Sequence, residues 1–243
     1  MLNLSLDTSS LVGSVAILRD NQLLGVISTR SDENYSSRMF RHLEFLLNDL
    51  SIKLSEFDSF SVAAGPGSFT GLRVGLAAVK GWAEVFGKPV VGVSALEAVA
   101  AQAIPGGSSH NTLVVPVLDA RRGQLYCAFY RQADSRLHRE GDQRVISPEE
   151  LLEEIRRREG ENVRFVIAAP EPELISSISS RFENSATSFA GASIVVQQVS
   201  GVLAPWIGRL GIASAQRGEF SDALRLDANY VRRSDAELQL KGK

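Results

Sequence analysis

The densest run of residues able to do chemistry is Gly65-Pro66-Gly67-Ser68-Phe69-Thr70-Gly71-Leu72-Arg73. An apolar stretch, Phe57 to Ala64, leads into it, and a helical pattern from about Thr70 to Phe86 leaves it. Strand, glycine turn and helix together expose free amides at a helix N-terminus, which is how proteins hold phosphate. The spacing departs from the well-known forms of such a loop. No Lys-Ser/Thr follows the last glycine, and Gly-x-Gly-x-x-x-Gly is one residue longer than the dinucleotide fingerprint. A tight structural turn, with Ser68 or Thr70 capping the helix, is therefore preferred over a phosphate site.

Little other catalytic equipment stands out. Asp7 and Thr8 end the first apolar alternation, where a carboxylate serves as a metal or phosphate ligand or, more simply, as a turn cap. His42, His110 and His138 are too scattered for a metal site, and no His-x-x-x-His or Gly-x-Ser-x-Gly occurs. Cys127 is the single cysteine and lies in an apolar run, so it is assigned to the core. Catalytic, cofactor-binding and metal residues are accordingly predicted to be none.

The elements that must position these residues follow from periodicity. Leu2–Leu6, Val12–Leu18 and Leu23–Ser28 read as an antiparallel meander turning at Asp7-Thr8-Ser9-Ser10 and Arg19-Asp20-Asn21-Gln22. A helix spans about 34–50, a strand 57–64, a helix 70–86 ending at Gly87-Lys88-Pro89, a strand 90–93, and a helix opened by Ser94-x-x-Glu97. This order gives a mixed sheet flanked by helices. The Pro105-Gly106-Gly107-Ser108-Ser109 tract marks a lobe boundary. Beyond it come a hairpin at 113–118 and 125–131, a helix from Ser147-Pro148 to about Arg158, a strand at 163–169, a helix near 171–181, a strand at 194–199 and a helix near 202–217. No internal repeat is visible, and the charged tail after Tyr230 reads as a frayed end.

The helix over 70–86 carries a surplus. Placed at about 100° per residue, Leu72, Leu76, Val79, Ala83 and Phe86 share one apolar face, while Val74, Ala78, Gly81 and Val85 share a second of mostly small residues. On the 34–50 helix, Met39, Leu43, Leu46, Leu47 and Leu50 make the stripe with Phe40 on its edge, and Phe45 falls opposite among Arg38, Arg41, His42 and Asp49. The second face is either core within this chain or a surface for another one; the residues leave both open. The totals exclude more. The 243-residue chain has net charge −2 and 44% hydrophobic residues, so no global basic field recruits nucleic acid. One cysteine suits a reducing cytosol, the N-terminus lacks a basic n-region, and no apolar run approaches the ~18 residues of a membrane span.

Taken together, several stretches resemble the TsaB (YeaZ) family. They are Leu6-Asp7-Thr8-Ser9, the segment from Gly65 to Gly75, Lys80-Gly81, Pro89 to Glu97, Asp119-Ala120-Arg121-Arg122-Gly123 and Tyr230-Val231-Arg232. The Gly65, Pro66, Gly67, Ser68, Thr70, Gly71 and Arg73 positions are the most specific part of the match.

The resemblance implies an α/β, two-lobed fold like those of actin, Hsp70 and sugar kinases, with RNase H-like mixed sheets flanked by helices and a reduced second lobe. Residues 1–104 would form the first lobe, 105–214 the smaller one, and about 215–243 would return to the first. It implies a non-catalytic scaffold that binds TsaD, with TsaE in the larger complex. That complex transfers a threonylcarbamoyl group to N6 of adenosine 37 in tRNAs reading ANN codons. The partner interface would be Arg38, Phe45, Val74, Ala78, Gly81 and Val85, and homodimerisation would use the same helices. tRNA contact would be indirect, no cofactor or membrane would be involved, and the location would be cytoplasmic. Tyr35-Ser36 stands where many relatives have His-Ser. An actin-like kinase or ATPase using Asp7 and the 65–71 loop is the alternative, and the histidine content argues against a metallopeptidase.

Overall fold

A computed structural model describes residues 1–31, 35–103, 111–133, 136–158, 163–184, 193–223 and 225–231. The first sheet contains β1 (Leu2–Asp7), β2 (Val12–Arg19) and β3 (Gln22–Arg30) as the antiparallel meander. After α1 (Tyr35–Asp49), β4 (Ser59–Gly65) pairs parallel with β1. After α2 (Phe69–Phe86), β5 (Val90–Ser94) pairs parallel with β4, giving the order β3-β2-β1-β4-β5. A short helix, α3 (Ala95–Ala100), follows.

The second sheet repeats this plan. It contains β6 (Thr112–Asp119), β7 (Leu125–Ala133) and β8 (Arg136–Ile146), all antiparallel, then α4 (Pro148–Arg157), β9 (Arg164–Ala169), α5 (Pro172–Asn184) and β10 (Ser193–Gln198). With β9 and β10 parallel, its order β8-β7-β6-β9-β10 matches that of the first sheet. The architecture is α/β: two mixed five-stranded sheets flanked by helices.

Compact unit one comprises Met1–Ala98 with Val202–Lys243, and unit two Val99–Gly201. The chain thus rejoins the first unit at Val202, earlier than the 215 expected from sequence. Helix α6 (Ala204–Gln216) is the reason, because Ala204 and Ile212 pack with Ala16 and Leu18 of β2. Gly208 and Gly211 let α6 approach a seam of buried polar groups. A Cβ at Gly208 would meet Ser5 Oγ at 2.9 Å, and one at Gly211 would meet the Ser61 side chain. Within that seam Asn3 Nδ2 donates to Ser59 Oγ at 2.8 Å and Ser61 Oγ at 2.9 Å, so the buried amide hydrogens are satisfied.

Strand β8 fills a stretch between the hairpin and α4 to which the sequence reading assigns no element. Its run Arg136–Ile146 carries charge after charge and lies at the sheet edge, where alternation of apolar residues is not required. Arg131 and Arg158 both pair with Glu140 on it. Helix α4 begins as its sequence prescribes, with Ser147 Oγ accepting from Glu150 N at 3.1 Å and Glu150 Oε2 accepting from Ser147 N at 2.7 Å. Cys127 is fully buried in the second core, and burial pushes its thiol up to about 12. No helix among the described residues is long and apolar enough to cross a membrane. Of the remaining expectations, the boundary tract at 104–110 and the tail from 232 lie outside the described residues.

Candidate functional site

The glycine loop sits between β4 and α2, and each of its glycines answers to something the chain itself places there. Ser68 caps α2, its Oγ accepting from Gly71 N at 3.3 Å, and Gly87 ends the helix at φ 61. Ser68 N donates to Ser9 O at 2.6 Å, and Thr8 Oγ1 donates to Gly71 O at 2.7 Å. A Cβ on Gly67 would collide with Ser9 O, and one on Gly71 with Thr8 O, both far inside the 3.0 Å that real Cβ atoms keep. A Cβ on Gly75 would reach Thr8 Oγ1 at 2.5 Å. The β1–β2 bend therefore fills the concavity that a phosphate would need. Gly67 does not adopt a positive φ; close approach by Ser9 is what requires glycine there.

A second brace comes from residues 221–230, ahead of the charged tail that the sequence reads as a frayed end. Ser221 bridges to Val90 at the β5 edge, and Asn229 N donates to Ala64 O at 2.6 Å. Gly65, at φ 113, faces Asn229 O where a Cβ would stand, and the Gly65–Pro66 bond is cis. The Tyr230 ring lies 4.9 Å from that of Phe69, and Arg73 Nε donates to Tyr230 Oη at 3.1 Å. The signal for this strap was Tyr230, an aromatic in a charged tail.

Asp7 is fully buried, and it caps the bend as expected. Its Oδ1 accepts from Ser9 N at 2.8 Å and Ser9 Oγ at 2.6 Å, while Oδ2 has no partner among the described residues. Burial dominates and raises the carboxyl from its ordinary 3.8 to about 6, against the two Ser9 hydrogen bonds. A folded-state value above the unfolded one means that Asp7 favours folding most below about 3.8 and loses that contribution as pH rises through about 6. The shift corresponds to about 3 kcal/mol. Asp7→Asn keeps an acceptor for Ser9 and cannot ionise. Its stability relative to wild type is expected to rise by about 2–3 kcal/mol between pH 4 and pH 8. Urea melts of both proteins across that range measure it, and a difference that stays flat with pH would contradict the burial of an ionisable group here.

The outer faces of α1 and α2 are the third feature. Val85 is 75% exposed, Phe45 61% and Phe40 50%. Gly81 is exposed, with nothing within 4 Å of where a Cβ would stand, and Val74 and Ala78 are half-buried. Phe40 meets Trp82 edge-on with centroids 6.3 Å apart, which ties the two helices together beneath this apolar surface. Leu72, Leu76, Val79 and Ala83 are buried on the opposite side, so the face with Val74, Ala78, Gly81 and Val85 is not core of this chain. Arg38 does not belong to the face. It is 3% exposed, its guanidinium lies 4.5 Å above the Tyr35 ring, and Nη1 donates to Ser31 O at 3.2 Å, tying the end of β3 to the start of α1. Burial, then the Asp7 charge, push the Tyr35 phenol up to about 12. Phe40, placed only at the stripe's edge by periodicity, is the exposed residue that sequence undervalued.

The family model described as TsaD: tRNA N6-adenosine threonylcarbamoyltransferase matches residues 11–204. The tRNA threonylcarbamoyladenosine biosynthesis protein TsaB of Bacillus subtilis strain 168 is 35% identical over 131 residues, 54% of this chain and 56% of the relative. The chain belongs to the TsaB/YeaZ family. It spans about half the length of the first curated relatives it matches. The solved YeaZ of Pseudomonas aeruginosa superposes over 94% of this chain and 99% of its own, with TM-score 0.69 at 22% identity. A glucomannokinase from Arthrobacter sp. strain KM superposes over 88% of this chain and 99% of its own, with TM-score 0.53 at 12% identity. At these identities the two structures speak to fold alone, the actin-like fold of sugar kinases. The segment Gly65 to Gly75 is a packing motif in this chain. Its glycines admit Thr8, Ser9 and Asn229.

Proposed function

We propose that this chain is a non-catalytic scaffold subunit in the threonylcarbamoylation of N6 of tRNA adenosine 37, acting by docking a TsaD partner on the outer faces of α1 and α2. The observation that carries the reading is the set of apolar residues on the outer faces of two helices joined by the Phe40–Trp82 contact: Phe40, Phe45, Gly81 and Val85 exposed, Val74 and Ala78 half-buried. Small residues on α2 allow close backbone approach, and the two phenylalanines supply the anchoring area such interfaces use. Filling of the glycine loop by Thr8 and Ser9 supports a role without nucleotide chemistry. TsaE would join the larger assembly, the ANN-reading tRNAs would be bound through the complex, and a second copy of the chain would compete for the same helices. The test mixes the purified chain with the TsaD protein of its own organism. A heterodimer on size exclusion is expected, with no threonylcarbamoyl transfer and no ATP hydrolysis by the chain alone. Turnover by the isolated chain that Asp7→Ala abolishes would sink the scaffold reading.

A further inference from the structure

We propose that Arg73 is a preorganised receptor for a carboxylate of the protein that docks on the α1–α2 face. The inference rests on the partner reading above and names one contact within it. Arg73 is exposed near the start of α2, on the flank of the same helix about 100° of helical turn from Val74. Its guanidinium lies 3.8 Å above the Phe69 ring, and Nε donates to Tyr230 Oη at 3.1 Å. Phe69 is itself stacked on Tyr230, and the Asn229 amide on Ala64 holds that segment in place. A long side chain that ordinarily forfeits rotamer freedom on binding is thus already fixed.

What it lacks is a counter-ion. Among the described residues no carboxylate pairs with Arg73, and its two Nη groups are left for an outside acceptor. The first turn of α2 contains no acidic residue, so the positive end of this 18-residue helix adds to the same local field. A cation held near a helix N-terminus with no anion supplied is electrostatically unfavourable in the free chain. A carboxylate arriving with the partner relieves it and completes a two-pronged pair. A protein carboxylate is favoured over a nucleic acid phosphate because the site stands on the same helix as the apolar docking face. A phosphodiester backbone would call instead for a run of cations.

The test titrates the TsaD protein against wild type, Arg73→Ala, Arg73→Lys, Tyr230→Phe and the Arg73→Ala/Tyr230→Phe double variant, at low and high salt. Arg73→Ala is expected to weaken the heterodimer about 10–100-fold while melting cooperatively, with a shallower salt dependence. Arg73→Lys should lose most of that affinity, because an ammonium keeps the charge and not the fork. Tyr230→Phe should lose about 3–10-fold with Arg73 present and nothing in the Arg73→Ala background, a coupling that a merely structural role would not produce. Should Arg73→Ala fail to fold, Arg73→Lys and Tyr230→Phe decide alone. A wild type that fails to bind TsaD removes the partner reading itself. Binding by wild type with Arg73→Lys and Tyr230→Phe unaltered removes only this inference. Unchanged heterodimer affinity with weakened tRNA binding by the assembled complex would assign Arg73 to a phosphate and overturn it.

Discussion

The Ala78→Arg protein is expected to remain folded and to bind TsaD about two to four decades more weakly than wild type. Ala78 is half-buried on α2, beside Gly81, which has open space around it, and Val85, which is 75% exposed. A long side chain there can lie along the helix surface in the free chain, so the monomer should melt cooperatively near the wild-type temperature. In the complex the same side chain occupies the space that close helix approach needs, and its charge is stripped of water without a partner. Together these cost roughly 3–5 kcal/mol of association, which sets the expected loss. Circular dichroism with thermal melting and a binding titration read the two quantities separately. A cooperatively melting variant that still binds TsaD at wild-type strength would mean that the docking surface lies elsewhere.

Gly71→Val should do the opposite, destabilising the fold and not a contact. The new Cβ would stand on the Thr8 carbonyl oxygen, a backbone atom of the β1–β2 bend that cannot swing aside. The bend is fixed there, since Thr8 Oγ1 donates to Gly71 O and Ser9 O accepts from Ser68 N. Relief would require α2 to lift from β1, uncovering Leu72, Leu76 and Val79. A cost on the order of 3–5 kcal/mol follows, a large part of the roughly 5–15 kcal/mol that holds a domain together. Gly81→Ala is the matched control on the same helix. Nothing lies within 4 Å of its added methyl, and helix propensity favours alanine by up to about 1 kcal/mol. Chemical denaturation should place the two variants on opposite sides of wild type. A Gly71→Val protein with an unchanged midpoint would show that Thr8 yields and that the glycine serves something other than packing.

How much of this was legible in the sequence varies with the range of the interaction. Ser68 before the α2 pattern, Gly87 after it, and Ser147-Pro148-Glu149-Glu150 ahead of α4 fixed their helix ends because caps act within a turn of the residue that makes them. Periodicity also exposed the second apolar face of α2, since one helix can bury only one side on one sheet. Strand β8 escaped because an edge strand of charged residues, paired through Arg131 and Glu140, needs no apolar alternation.

By itself, then, the sequence determined the α/β class, the elements of the meander and its helices, the core placement of Cys127, and the presence of a glycine turn before α2. Each is a consequence of local steric preference or of hydrophobic period. Only the tertiary structure decided what the glycines are for, because Thr8, Ser9 and Asn229 reach Gly71, Gly67 and Gly65 from distant parts of the chain. It decided too that Arg38 is interior while Phe45, on the same side of α1, is exposed, since Tyr35 and the end of β3 cover only the first turn. And it revealed one strand order in both sheets, which no repeat in the sequence announces. Topology is carried by which residues are buried, and many different sequences bury the same pattern.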